Sequence, residues 1–228
     1  MAGPDLDLAH LVPEVYERLF ARFGPQYWWP GDTPFEVVVG ALLTQNTAWT
    51  NVERAIAALS QAGALSPEGI RELPETELAA LIRSAGYFNQ KARRLKGLVA
   101  FIYSAGGLDA LFSRPISRLR EDLLGVTGVG PETADSILLY AAGMPSFVID
   151  AYTRRVCSRL GLCPSDVTYD DLQALFATHL PIDVRLYNEY HALFVALGKD
   201  VCRPRSPRCS ECPLADLCAH AHKVIEGA

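Results

Sequence analysis

Cys202, Cys209, Cys212 and Cys218 form a C-x6-C-x2-C-x5-C array near the C-terminus, and thiols at this spacing are suited to binding metal. Soft thiolates converging from a Pro- and Arg-rich stretch fit an iron–sulfur cluster or zinc better than a packed core, and ligand chemistry alone leaves the two metals open. A second chemical signal is residues 124–134, LGVTGVGPETA. Gly128 and Gly130 permit positive φ and close backbone approach, and Pro131 opens a helix whose unpaired N–H groups point back at the turn. That geometry receives an anion, and a DNA phosphate is its natural ligand.

Helices must position these groups. Apolar residues recur at three- and four-residue spacing almost throughout, and strand alternation is nearly absent. Thr33-Pro34-Phe35-Glu36 joins an N-cap threonine, a first-turn proline and a glutamate, a capping box that opens an apolar helix through Leu43. Ser66-Pro67-Glu68 and Leu73-Pro74-Glu75 begin two more. Further helical stretches cover 90–105, 116–124, 131–142, 151–160, 169–179 and 185–197. The expectation is an all-α protein of about ten helices packed pairwise.

With 228 residues, half of them apolar, the chain can bury a substantial core as one large domain or two lobes. No apolar run reaches the roughly 18 residues of a membrane span, and the N-terminus MAGPDLDLAH lacks the features of a signal peptide, so the sequence reads as cytoplasmic. A reducing compartment favours metal over disulfides for the array and free core thiols for Cys157 and Cys163. The net charge of −5 argues weakly against nucleic acid, but its distribution matters more. Lys91, Arg93, Arg94 and Lys96 form one basic run, Arg154, Arg155 and Arg159 another, and Arg203, Arg205 and Arg208 a third. Together these could form one phosphate-binding surface.

The glycine hairpin, then Val148-Ile149-Asp150-Ala151-Tyr152-Thr153-Arg154-Arg155-Val156, then the cysteine array, occur in an order that resembles the endonuclease III family of helix–hairpin–helix DNA glycosylases. The likeness covers residues 27–220. It implies a [4Fe–4S] cluster rather than zinc on Cys202, Cys209, Cys212 and Cys218. It also implies hairpin contacts to DNA from Gly128, Val129, Gly130 and Thr133, and a basic loop, Arg203, Arg205 and Arg208, against the DNA backbone. Asp150 matches the family's catalytic aspartate, which stabilises a cationic sugar and activates water. Asp is also a favoured N-cap, and both roles fit here. Bifunctional members carry a lysine in the hairpin's second helix that forms a Schiff base with the sugar; the matching position is Glu132, which cannot. The resemblance therefore implies a monofunctional enzyme, with Glu132 a first-turn glutamate favoured by the helix dipole.

Trp28-Trp29-Pro30 and Leu43-Thr44-Gln45-Asn46-Thr47-Ala48-Trp49 resemble the 3-methyladenine glycosylase-like branch of that family, in which aromatics at the positions of Trp28, Trp29 and Trp49 belong to the base pocket. An N3-alkylated adenine is cationic, so an indole face offers about 0.5–2 kcal/mol of cation–π attraction. By the same likeness Gln45 fills the gap left by an extruded nucleotide and Tyr87 falls at the wedge position, though an aliphatic wedge would be expected. His191 is read as a core or supporting histidine rather than a metal ligand.

The expected architecture has two lobes: a six-helix barrel at 27–144 containing the hairpin at about 120–143, and an iron–sulfur lobe from 1–26 with 145–228. The expected function is excision of damaged bases, an alkylated purine foremost, from double-stranded DNA by a monomer without membrane attachment, nucleoid-associated if bacterial. Two alternatives stand beside it: a glycosylase for oxidised pyrimidines, and a damaged-DNA-binding protein with little or no catalysis.

Overall fold

The computed structural model of the chain describes residues 7–29 and 31–226; Pro30 of the tryptophan motif and residues 1–6 of the N-terminal reading lie outside the described residues. The chain forms two compact units, Trp29–Ser146 on one side and Met1–Trp28 with Phe147–Ala228 on the other. The expected boundary at 144 and 145 differs from this by two residues, as does the one at 26 and 27.

Thirteen α-helices and no strand occur among the described residues. In chain order they are α1 Leu8–Phe23, α2 Pro34–Leu43, α3 Trp49–Gln61, α4 Pro67–Glu72, α5 Glu75–Leu81, α6 Phe88–Ser104, α7 Leu108–Phe112, α8 Ile116–Leu124, α9 Pro131–Ser136, α10 Ala151–Leu160, α11 Tyr169–His179, α12 Val184–Asp200 and α13 Ala219–Glu226. The count exceeds ten because several are too short to show a period in sequence, α7 spanning only 5 residues.

In the unit Trp29–Ser146, α2 begins where the threonine cap requires: Thr33 Oγ1 accepts from Glu36 N at 3.1 Å. Glu36 returns its carboxylate to Asp32 N at 3.3 Å, one residue upstream of the N-cap N–H that a capping box would satisfy. Every residue of α2 except Pro34 and Glu36 is buried, as expected of a helix at the centre of its unit. α3, α6 and α9 pack around it. The hairpin of α8 and α9 is closed by a buried charge that sequence patterning does not reveal. Asp135 is fully buried and takes Arg120 Nε at 2.9 Å and Nη2 at 3.1 Å, with Ser146 Oγ at 2.7 Å. A bidentate guanidinium fixes the angle between the two helices as well as neutralising the carboxylate. Beyond Ser136 the helix continues as a wider π-type turn, Ile137–Ala141.

In the other unit, α12 packs against α10 and α1. Its core is aromatic. Phe147 and Phe176 stack with centroids 4.1 Å apart, Tyr190 and Phe194 with centroids 4.7 Å apart, and Tyr190 Oη donates to Val12 O at 2.8 Å, tying α12 to α1. Offset and edge-on ring contacts of this kind add about 0.5–1.5 kcal/mol each beyond burial.

Candidate active site and cysteine centre

Asp150 is the N-cap of α10. Its Oδ1 accepts from Thr153 N at 2.7 Å, and Oδ2 lies 3.5 Å from His191 Nε2 on α12. The side chain is 13% exposed and that of His191 5%. Burial works against the carboxylate, but the facing imidazole and the bonds from Thr153 outweigh it and hold the Asp150 carboxyl below the usual aspartate range. The group is therefore an anion at neutral pH, partly shielded from water. Such a carboxylate can stabilise an adjacent cationic centre or take a proton from water. The structure thus places the expected aspartate at a helix start and adds His191, a partner distant in sequence.

The hairpin turn departs from expectation at one glycine. Gly128 has φ +90°, and a Cβ there would stand 2.5 Å from Cδ and Cγ of Arg94. Gly130 instead has φ −95° and ψ 177°, and nothing lies within 4 Å of where its Cβ would be. Its lack of a side chain keeps the surface open rather than relieving backbone strain. Among the described residues, no internal hydrogen bond takes up the N–H of Gly128 or Gly130, whereas Val129 N is bonded to Val126 O at 3.0 Å. Val129 is buried, and so is Thr133, whose Oγ1 accepts from Gln45 Nε2 at 2.9 Å. The Thr133 side chain therefore faces into the fold.

Gln45 also donates to Gly128 O at 2.9 Å and accepts from Arg94 Nη1 at 2.7 Å. It braces the turn that carries the open N–H groups. Tyr87 is 70% exposed at the start of α6, with left-handed backbone at φ 46°. Glu132 is exposed in the first turn of α9.

Trp29 and Trp49 meet edge to face with centroids 5.1 Å apart, and Trp29 also meets Tyr140 at 5.0 Å. Gly40 of α2 lies beneath both indoles: a Cβ there would stand 3.3 Å from Trp29 and 3.5 Å from Trp49. Tyr140 was not singled out in the sequence, because a tyrosine within an apolar helix carries no distinguishing signal. Trp28 belongs to the other unit, where Lys199 Nζ lies 5.7 Å from its ring centroid. The structure gathers Trp29 and Trp49 with Tyr140 in one unit.

Most cations of two of the three basic runs also make internal bonds. Arg155 donates to Cys202 O and Gly198 O, each at 2.9 Å, and Arg154 donates to Val167 O. Arg159 donates to Arg203 O at 2.7 Å, Pro204 O at 3.0 Å and Cys202 Sγ at 3.3 Å. Arg93 pairs with Glu75, Lys96 bonds Arg71 O at 2.9 Å, and Lys91 is buried. In the third run Arg205 and Arg208 are exposed, Arg208 lying 3.7 Å from Glu211, and Arg203 is half-buried.

Cys202, Cys209, Cys212 and Cys218 line one cavity of about 260 Å³, part of it open to solvent, together with Arg159, Val201, Pro207 and Arg208. Among the described residues, no three His, Cys, Asp or Glu side chains form a group that would hold a single ion. Burial foremost, and the neighbouring thiols, push Cys212 up to about 11, so a set of four thiolates calls for a cationic group at its centre. The donor set fits a polynuclear centre, with a guanidinium already directed at one sulfur.

Comparison with known proteins gives two family matches. Residues 39–181 match the family model described as "HhH-GPD superfamily base excision DNA repair protein", and residues 202–218 match the iron–sulfur binding domain of endonuclease III. A protein of Methanocaldococcus jannaschii, provisionally described as a DNA repair glycosylase, is 45% identical over 211 residues, covering 91% of this chain and 96% of its own length. Endonuclease III of Sulfolobus acidocaldarius is 31% identical, with 82% of each chain covered. Among solved structures, a non-covalent endonuclease III–DNA complex superposes with TM-score 0.84 at 24% identity, over 96% of this chain and 98% of that one. The 3-methyladenine DNA glycosylase of H. pylori bound to 1,N6-ethenoadenine gives 0.73 at 27% identity, over 85% and 98%. The match across the array decides the metal: the cofactor is an iron–sulfur cluster, not zinc, and the matched segment, residues 202–218, begins and ends on Cys202 and Cys218. No helix among the described residues is long and apolar enough to cross a membrane.

Proposed function

Because the chain belongs to the HhH-GPD superfamily of base excision DNA repair proteins, we propose that it hydrolyses the N-glycosidic bond of an alkylated purine in duplex DNA and leaves the abasic strand uncut. The observation that carries this reading is Asp150 held between the Thr153 N–H and His191, combined with a carboxylate, Glu132, where an imine-forming amine would stand. Asp150 stabilises the cationic sugar as the bond to the base breaks, and the same oxygen orients and deprotonates the attacking water. Glu132 has no nitrogen to attack the sugar, so the strand break that follows a Schiff base does not occur.

The base is received by Trp29, Trp49 and Tyr140, whose π faces favour a cationic purine. Such a base leaves without further protonation, in keeping with one carboxylate as the catalytic acid–base group. The H. pylori relative, a 3-methyladenine glycosylase, supports this assignment. In the same reading the open N–H groups of Gly128 and Gly130 hold a backbone phosphate, Arg203, Arg205 and Arg208 supply further cationic contacts, and Tyr87 enters the duplex beside the extruded nucleotide while Gln45 supports the opening. The protein works on DNA as a monomer. Its cluster holds the Arg203–Arg208 loop in shape.

The endonuclease III relatives favour a second reading with the same reaction on an oxidised pyrimidine. Single-turnover base release from duplexes containing 3-methyladenine or thymine glycol, with and without alkali, separates the two. Release of the alkylated base with breaks only after alkali is expected. Breaks on thymine glycol without alkali would overturn both the substrate and the role given to Glu132. Silence on both duplexes, with salt-dependent binding kept, would instead leave a binding protein.

A further inference from the structure

Lys91 is 1% exposed, and its Nζ donates to two backbone carbonyls, Leu43 O and Ala85 O, each at 2.8 Å. Both carbonyls close a helical segment: Leu43 is the last residue of α2, and Ala85 ends the 3₁₀ turn Arg83–Ala85. Carbonyls at helix ends lack intrahelical partners and carry partial negative charge, so one buried ammonium satisfies two of them. Burial, then the charge of Arg94, brings the amine down to about 8, and it remains largely protonated at neutral pH.

The chain beyond each carbonyl is the informative part. Gln45 lies two residues after Leu43, and Tyr87 two residues after Ala85. Each loop also holds a non-glycine residue with left-handed backbone, Asn46 at φ 54° and Tyr87 itself at φ 46°. Such conformations cost on the order of 1–3 kcal/mol each and persist only where surrounding contacts enforce them. The ammonium bonds the residue three before Asn46 and the residue two before Tyr87, and so joins the segments from which both loops start.

We infer that Lys91 is a positioning residue that sets the Gln45 and Tyr87 loops in one geometry for entering an opened duplex, so that the two act as a unit. This rests on the DNA-opening roles given to Gln45 and Tyr87 above. Lys91 itself touches no DNA: its side chain is enclosed, and it acts only through the two carbonyls.

The test is a double-mutant cycle on the full, cluster-loaded chain, with two probes: a duplex containing a tetrahydrofuran abasic-site analogue and the same duplex undamaged. Lys91→Met should lower the preference for the abasic duplex by about tenfold, while affinity for undamaged DNA and the visible absorption of the cluster stay as in the wild type. In a Gln45→Ala/Tyr87→Ala background the same substitution should change that preference by less than about twofold, because coupled residues are non-additive. An equal loss in both backgrounds, or no loss in the wild-type background, would overturn the inference. If the double variant alone keeps the full preference, the DNA-opening roles fall and this inference with them. Should Lys91→Met fail to fold, Lys91→Gln keeps a donor for one carbonyl. Hydrogen exchange should then show residues 44–48 and 85–88 losing protection together; loss spread over the whole unit would count against the clamp.

Discussion

His191 Nε2 stands 3.5 Å from Asp150 Oδ2, bringing the middle of α12 to the N-cap of α10. With the Thr153 N–H on its other oxygen, Asp150 is held as an anion despite its burial. Its folded pKa lies below the unfolded value of roughly 3.9, so its contribution to stability is complete above that value and is lost as pH falls through the folded pKa. Asp150→Asn should therefore flatten the acid limb of the stability curve below about pH 4, and single-turnover base release should fall by at least about 100-fold with DNA binding kept. In His191→Leu, which removes the favourable partner, the acid limb of the rate profile should move to higher pH. An unmoved limb would show that the imidazole does not set the carboxylate's ionisation.

Gly128→Ala tests the hairpin. A left-handed backbone costs an L-residue about 1–2 kcal/mol, and the new methyl would meet Arg94 at 2.5 Å. Arg94 would have to move, releasing Gln45 Oε1. Urea denaturation should show a loss of about 2 kcal/mol, and DNA affinity should fall further than stability explains. Gly130→Ala has neither a φ penalty nor a steric neighbour, so its stability should change little while affinity drops. Equal effects of the two substitutions on stability would contradict the geometry.

How much of this was visible in the sequence depends on the scale of the contact. The start and end of α2 follow from Thr33, Pro34 and the apolar run to Leu43, because capping and periodicity are local. α3 gives a weaker start signal: Ala48 caps it without a side-chain bond. The cysteine array and the N-cap Asp150 were legible as patterns, since close spacing and capping are local features. His191 facing Asp150, Tyr140 against Trp29 and the Arg120–Asp135 pair were not, because each is a tertiary contact between residues 15 or more positions apart, which no local pattern marks. The internal bonds of the basic runs were hidden for a related reason. A run of Arg154, Arg155 and Arg159 looks like a surface charge, but in the fold these guanidiniums are bound to carbonyls of adjoining loops.

Trp49→Ala separates a base pocket from ordinary packing. Removing a half-buried indole that meets Trp29 edge to face should cost about 2–3 kcal/mol of stability, less than a fully buried tryptophan would. If the aromatic group receives the base, Trp49→Phe should recover most of that stability yet release 3-methyladenine more slowly than wild type, through a raised KM. Recovery of both together would make Trp49 a packing residue.

Arg159 joins α10 to the cluster segment, with bonds to Cys202 Sγ, Arg203 O and Pro204 O. Lysine keeps the charge but cannot present a planar fork to several acceptors at once. Arg159→Lys should therefore fold and load iron, but its visible absorption should bleach several times faster under a chelator, because fewer bonds hold the loop that carries the first thiolate. The Arg203–Arg208 loop loses two carbonyl anchors in the same variant, so binding to undamaged duplex should weaken by a few-fold and its salt dependence should become shallower. Bleaching at the wild-type rate with unchanged salt dependence would mean that Cys202 and its loop are held by the cluster alone.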